Sequence, residues 1–151
     1  MKQVYLEDSY LKDHETKILQ SDGKSVVLEE NIFYPNSGGQ PNDLGVLIRD
    51  GKEFKILNVK KIAGAVSVEV DSEGLQEGDN VTCRLDWERR HTLMRYHTAS
   101  HVFAGLIYKQ TGALITGNQL YENKSRFDFN LEQFDREKFL EYAKQANEEI
   151  N

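Results

Sequence analysis

The stretch GVLIRDGKEFKILNV, residues 45–59, contains the strongest hairpin signal of the chain. Its central dipeptide, Asp50-Gly51, is typical of the two-residue turn that joins antiparallel strands. Residues 45–48 and 54–59, which flank the turn, are rich in side chains that favour strands. The sequence therefore predicts a β-hairpin with its turn at residues 50–51.

Short strands separated by turn residues extend on both sides of this hairpin. We predict strands at residues 17–19, 25–28 and 81–85. Between them Val66, Val68 and Val70 alternate with other residues, which indicates a strand buried on one side. Turn signals at roughly ten-residue spacing are typical of a small barrel or sandwich. We predict a small β-barrel domain over residues 1–86, with the glycine-rich loop inside it.

The pattern becomes helical after Asp86. Residues 87–110 contain no proline and one glycine, and Gly112 follows as a stop signal. A strand pair is expected at Tyr121 and residues 127–129, and a last helix begins after Asp135, its predicted N-cap. We predict a second domain over residues 87–151 and an α+β fold class. No further strand follows the last helix, which indicates a very small domain or a fragment.

The composition excludes several classes of protein. The net charge of −6 argues against broad, nonspecific nucleic-acid binding. No apolar run approaches the roughly 18 residues of a membrane span, and the N-terminus lacks the apolar core of a secretory signal. Cys83 is the single cysteine, which excludes an internal disulfide framework and fits a reducing cytosol. We expect a cytoplasmic protein with no membrane partner.

Two histidines four residues apart suggest a metal site. His97 and His101 lie on one face of the predicted helix, and zinc takes about four N, S or O ligands. His91 lies about 600° around the helix from His97, so we predict that it faces solvent or a phosphate. The alternative is a pair of ordinary surface histidines that hydrogen-bond to their neighbours.

The stretch FYPNSGGQPNDLG, residues 33–45, is rich in glycine, proline and asparagine and predicts a structured turn. Gly38 and Gly39 can take backbone angles closed to other residues and let a ligand approach the main chain. Gln40 presents an amide beside that backbone. The alternative is a tight connection between two strands, in which Gln40 bonds to its own loop.

Three blocks of sequence, taken together, resemble one family. FYPNSGGQPNDLG is followed by LDWERRHTLMRYHTASHVF at residues 85–103 and by SRFDF at residues 125–129. The combination resembles the editing domain of alanyl-tRNA synthetase and, in particular, its free-standing AlaX-type trans-editing relatives. The match covers most of the chain in the right order. It implies a small N-terminal β-barrel followed by part of an α/β editing domain of the type found in threonyl- and alanyl-tRNA synthetases.

The resemblance implies a zinc-dependent hydrolase that removes serine or glycine from mischarged tRNA for alanine. His97 and His101 carry over as metal ligands. The family's second ligand pair, C-x-x-x-H, has no counterpart in this sequence, because Cys83 lies upstream of the histidines. That pair would follow the last helix, so the resemblance implies a truncated or shortened chain with half of the zinc ligands.

The remaining predicted site residues follow from their chemistry and from this resemblance. A polar group near the pocket could bond the serine hydroxyl or orient water, and we predict this role for Gln40, Thr98 and Thr116, with Asn118 and Gln119 as further candidates. Arginines are suited to phosphate contacts and tyrosine to base stacking. The predicted substrate-binding residues are Gly38, Gly39, Arg89, Arg90 and Arg95, with Tyr96 as a stacking surface.

Two other functions remain open at this point. The chain could be a noncatalytic tRNA-binding or interaction module with a partial or absent metal site. It could also be a zinc hydrolase of another ester that uses His91, His97, His101 and an acidic ligand. An open sheet edge in the second domain favours a homodimer, and no other protein partner is predicted.

Overall fold

The computed structural model describes residues 1–133 and 135–150. The chain forms two compact units, one of residues 1–37 and 41–90 and the other of residues 38–40 and 91–151. Three residues from the middle of the glycine-rich loop, Gly38–Gln40, thus belong to the second unit.

The first unit is a closed β-barrel, as the sequence predicted. Six strands close it in the order β2-β3-β7-β6-β5-β8, and every neighbouring pair is antiparallel. A short parallel pair, β1 with β4, and a 3-10 helix at Val4–Leu6 were not predicted. The strands are β1 (Lys2–Gln3), β2 (Asp13–Asp22), β3 (Ser25–Leu28), β4 (Glu30–Asn31), β5 (Gly45–Arg49), β6 (Lys52–Ile62), β7 (Ala65–Val70) and β8 (Asn80–Leu85).

The hairpin of β5 and β6 turns at the predicted dipeptide. Asp50 and Gly51 have φ angles of 51° and 78°, and positive φ at both central residues is the requirement of a type I′ turn. Leu47 pairs with Phe54 across the hairpin, and both side chains are fully buried in the barrel core. The turn therefore sets the register that brings the apolar side chains inward.

The strand β7 is more buried than its alternating pattern indicated. Val66, Val68 and Val70 are in the core, as predicted, but Ser67 on the opposite face is also buried. The strand β7 pairs with β3 on one side and with β6 on the other, so it lies inside the closed barrel wall.

Cys83 on β8 provides a test of the barrel core. Its side chain is fully buried, and burial raises the pKa of its thiol to about 12. Because only the thiolate is nucleophilic, we expect no reaction with a thiol reagent such as DTNB at pH 8 in the native protein. One equivalent should react after denaturation. Rapid reaction of the native protein would show that β8 is not part of a closed core.

The second unit contains most of a long helix, a two-stranded sheet and a second helix. The elements are α1 (Trp87–Thr111), β9 (Ile115–Leu120), β10 (Ser125–Phe129) and α2 (Arg136–Ile150), the first turn of α1 lying in the first unit. Gly112 follows α1 with φ of 74°, and its N–H donates to the carbonyl of Tyr108, the predicted stop. Within the described residues, none of the helices combines the length and apolar character needed to cross a membrane.

The first strand of the sheet was predicted too late in the sequence. We expected it at Tyr121, but β9 ends at Leu120 and Tyr121 lies in the connection to β10. The residues Thr116-Gly117-Asn118-Gln119 favour turns, and pairing with β10 overrides that preference. The prediction for Asp135 is confirmed, because its carboxylate accepts the N–H groups of Glu137 and Lys138 at the start of α2.

Aromatic side chains fill the space between the sheet and the helices of the second unit. The ring of Phe103 on α1 lies 6.2–6.3 Å, centroid to centroid, from those of Phe127, Phe129 and Phe139. All three contacts have the tilted or edge-to-face geometry that aromatic pairs prefer. This packing fixes β10 and α2 against the helix that presents the histidines.

Candidate functional site

His97 and His101 of α1 lie side by side, as their spacing predicted. The imidazole rings of His97 and His101 are nearly parallel, with centroids 5.0 Å apart and 12° between the planes. His97 is partly buried and His101 is exposed. Two imidazoles so placed form one edge of a potential metal site.

One ring nitrogen of His97 forms a hydrogen bond with a side chain of the glycine-rich loop. Nδ1 of His97 lies 2.7 Å from the amide oxygen Oε1 of Gln40, a residue that is 4% exposed. Burial, and then the neighbouring His101, lower the pKa of His97 below its ordinary value. Both effects favour the neutral imidazole of His97, the form of histidine that can bind a metal.

The segment Gly38–Gln40, hereafter the GGQ segment, is attached to β9. Gly38 and Gly39 have φ angles of 60° and 78°, in the left-handed region that favours glycine. The N–H of Leu120 donates to the carbonyl of Gly39 at 2.7 Å, and Asn118 Nδ2 donates to the carbonyl of Gly38 at 3.2 Å. A Cβ atom on Gly39 would lie 2.6 Å from the backbone oxygen of Asn118. The second glycine is thus required by the close approach of the two backbones.

A cavity of about 270 Å³ lies beside the histidine pair. It is lined by residues of α1 and β9, namely Ser100, His101, Ala104, Ile115, Thr116, Gly117 and Asn118. Thr116 therefore lines this cavity, and Asn118 both lines it and holds the GGQ segment. The cavity has the mixed polar and apolar lining typical of a small-ligand site.

Ser100 is a pocket residue that the sequence analysis did not single out. Its side chain is buried, lines the cavity, and donates from Oγ to the carbonyl of His97 at 2.7 Å. The available signal was its spacing, because Ser100 lies three residues after His97 and i and i+3 share a face of a helix.

Other predicted residues lie away from this cavity. Thr98 and Arg95 are exposed on α1, and Tyr96 and Gln119 are partly buried. None of these four side chains lines the cavity. His91 is exposed, as predicted, but it makes an interaction of its own. None of these positions tests the predicted tRNA contacts, which stay predictions.

The predicted phosphate contact of Arg90 is wrong. Its side chain is 3% exposed and donates from Nε to both carboxylate oxygens of Asp43 at 3.0 Å. Its terminal nitrogens donate to the carbonyls of Ser9 and Ile32. Because the guanidinium is buried and bonds to Asp43, Ser9 and Ile32 within the first unit, Arg90 has a structural role and is not the predicted phosphate contact. Its neighbour Arg89 is partly exposed and donates twice to the carbonyl of Asn42.

The histidine pair supplies two potential metal donors. Over residues 1–133 and 135–150, no group of three or more His, Cys, Asp or Glu side chains is placed to hold a metal. Cys83 is in the barrel core of the first unit. The two imidazoles fit two corners of a tetrahedral zinc site.

Known proteins match this chain over most of its length. The family model of the class II (A) tRNA synthetases matches residues 5–89. An alanyl-tRNA editing protein AlaX-M from Methanosarcina barkeri is 51% identical over 97% of this chain and 63% of its own length. One from Saccharolobus solfataricus is 37% identical over 99% of this chain and 64% of its own length. An alanine–tRNA ligase from Pyrococcus abyssi is 38% identical over 84% of this chain and 14% of its own length.

These matches agree with the resemblance that the three sequence blocks indicated. The chain spans less than two thirds of the length of the editing proteins it matches. The family model covers more than half of the chain, and the editing proteins and the ligase extend the match across the histidine helix. The chain belongs to the class II (A) tRNA synthetase family, in the group of alanyl-tRNA synthetases and their AlaX-type editing relatives.

Proposed function

We propose that this chain takes part in hydrolysis of the ester bond in tRNA for alanine that carries serine or glycine. The main support is the stacked pair of His97 and His101 beside a small cavity, in a chain 51% identical to an alanyl-tRNA editing protein. An aminoacyl ester is labile, so the site mainly has to place the 3′ end of the tRNA and a water molecule.

We further propose that His97 and His101 hold a zinc ion. The donor set fits half of a tetrahedral site, and the contact from Gln40 to His97 is the outer contact that metal-bound histidines usually have. When bound, zinc supplies a Lewis acid that polarises an oxygen or lowers the pKa of water. The other ligands are not among the described residues.

The side chains of the pocket account for substrate orientation. Thr116 is exposed at the cavity wall and offers a hydroxyl to the amino acid of the substrate. Ser100 is buried and bonded to the backbone of α1, so it shapes the wall behind His101. Arg95, exposed on the same helix, is available for a phosphate of the tRNA.

A second function is favoured by the incomplete donor set. Because the described residues supply two metal ligands, the chain could bind tRNA without hydrolysing it. The two functions differ in what they require of the histidines: hydrolysis needs both, whereas binding through basic side chains needs neither.

The decisive test is deacylation of Ser-tRNA and Gly-tRNA for alanine by the 151-residue chain with added zinc. We expect loss of the mischarged ester, and we expect the His97→Ala variant to fall to the rate of the substrate in buffer. His14→Gln is the matched control, because His14 lies on β2 in the barrel and pairs with Glu30.

The alternatives give different outcomes in the same assay. Binding of tRNA with no deacylation by the unaltered chain would support the noncatalytic module. Equal loss in His91→Ala and His97→Ala would support a zinc site that includes His91. Full activity of His97→Ala would exclude the proposed metal mechanism.

A further inference from the structure

The contact between Gln40 and His97 determines which nitrogen of the imidazole is open. The amide oxygen of Gln40 can only accept a hydrogen bond, and it lies 2.7 Å from Nδ1 of His97. In a neutral imidazole one nitrogen is the donor and the other the acceptor. With the amide in this orientation, the hydrogen would lie on Nδ1 and the lone pair of Nε2 would be unprotonated.

We propose that Gln40 is a positioning residue that holds His97 as the Nδ1–H tautomer, with Nε2 free to bind a metal. This inference rests on the proposed function for its purpose, because the tautomer matters only if His97 is a ligand. In the reverse orientation, the amide nitrogen of Gln40 would donate an N–H to Nδ1. The imidazole hydrogen would then lie on Nε2, and Nε2 could not bind a metal.

The GGQ segment gives Gln40 the fixed position that this role requires. Its main chain is bonded to β9 through the carbonyls of Gly38 and Gly39. The Gln40 side chain is buried, so it has little freedom to leave His97. The two glycines therefore place one amide against one imidazole, and they do so from a part of the sequence 57 residues away from the histidine.

A simpler role for Gln40 is to fill space and hold the second unit together. In either role, substitution of Gln40 is expected to lower the free energy of unfolding, so a stability measurement alone does not distinguish the two roles. The tautomer of His97 does, because it depends on a hydrogen-bond acceptor at Oε1 and not on the volume of the side chain.

The test is a two-bond ¹H–¹⁵N correlation spectrum of the metal-free chain labelled at its four histidines, recorded at about pH 8, where an imidazole is neutral. In the unaltered chain we expect the Nδ1–H pattern for His97. In Gln40→Met, which keeps the length and removes the acceptor, we expect a shift towards Nε2–H. Gln40→Glu keeps an acceptor and should restore the Nδ1–H pattern.

Gln110→Met is the matched control, since Gln110 is exposed near the end of the same helix. It should leave the His97 pattern unchanged, and the signals of His14 should not move in any variant. The Nε2–H form in the unaltered chain would overturn the inference. So would an Nδ1–H pattern that persists in Gln40→Met.

Zinc titration gives a second readout. Followed through the His97 signals, zinc should bind at Nε2, and Gln40→Met should weaken binding by about 10- to 100-fold, the usual cost of losing such an outer contact. Binding through Nδ1 would contradict the proposal. The spectra need neither zinc nor tRNA, so absence of deacylation would count against the proposed function and leave the tautomer assignment standing.

Discussion

Replacement of Arg90 by methionine is expected to lower the free energy of unfolding of the first unit by about 3–5 kcal/mol, the cost of leaving one member of a buried ion pair without its partner. Asp43 is fully buried, and its carboxylate would lose the guanidinium that neutralises it. The carbonyls of Ser9 and Ile32 would lose donors as well. Urea unfolding followed by the fluorescence of Trp87, the single tryptophan, reports this unit.

A surface pair of the same chemistry is the control. Arg84 and Asp13 form an ion pair at 3.0 Å in which both side chains are more than half exposed. Arg84→Met should cost no more than about 1 kcal/mol, because water solvates the remaining charge. If Arg90→Met cost as little as Arg84→Met, the buried pair would not be important for stability.

The double variant Arg90→Met/Asp43→Asn separates a lost charge pair from lost packing. The amide that replaces the Asp43 carboxylate carries no charge, and its oxygen can still accept the backbone N–H of Tyr34, which donates to Asp43 in the unaltered chain. We expect the double variant to be more stable than Arg90→Met alone, even if the single variant does not fold. A double variant less stable than the single one would contradict this explanation.

Replacement of Gly39 by alanine is expected to detach the GGQ segment from β9. The φ angle of 78° costs an L-residue roughly 1–2 kcal/mol, and a Cβ atom 2.6 Å from the backbone oxygen of Asn118 adds roughly 1–3 kcal/mol of overpacking. The N–H of Leu120, bonded to Gly39, should then lose on the order of 100-fold of its hydrogen-exchange protection, at about 1.4 kcal/mol per tenfold change.

Gly112→Ala is the control that measures the free-energy cost of the positive φ angle without the steric overlap. Gly112 belongs to the same unit and has a φ of 74°, but a Cβ atom there would meet nothing within 4 Å. It should therefore show only the smaller cost of the backbone angle, with Leu120 still protected. Equal behaviour of the two variants would mean that the close approach to Asn118 is not limiting.

The sequence was sufficient to predict the barrel because its determinants are local. The Asp50-Gly51 turn and the alternating valines of β7 each depend on a few neighbouring residues, and the same holds for the N-cap at Asp135 in the second unit. The histidine pair could be predicted for the same reason, since helical spacing alone places both rings on one face. Turns, caps and the faces of helices and strands can therefore be predicted from residue types a few positions apart.

The features that the sequence did not predict depend on distant partners. Arg90 and Arg89 are adjacent in sequence, but Arg90 alone is buried, because Asp43 meets it from 47 residues away. The strand β9 has a turn-like sequence and forms by pairing with β10. Gln40 was expected to act on substrate or on its own loop, and its contact with His97 could not be read from spacing.

The membership of residues 38–40 in the second unit has a consequence for synthesis and for dissection of the chain. Gln40 is translated well before His97, so the site closes only after the intervening residues have emerged, a nonlocal event that folding theory associates with slow formation. A fragment that starts at His91 would retain the pair His97 and His101 and both strands of the sheet. It would lack the amide of Gln40 that faces His97. A cut after Asp86, where the sequence pattern becomes helical, would therefore separate Gln40 from His97, even though it would leave the barrel strands intact.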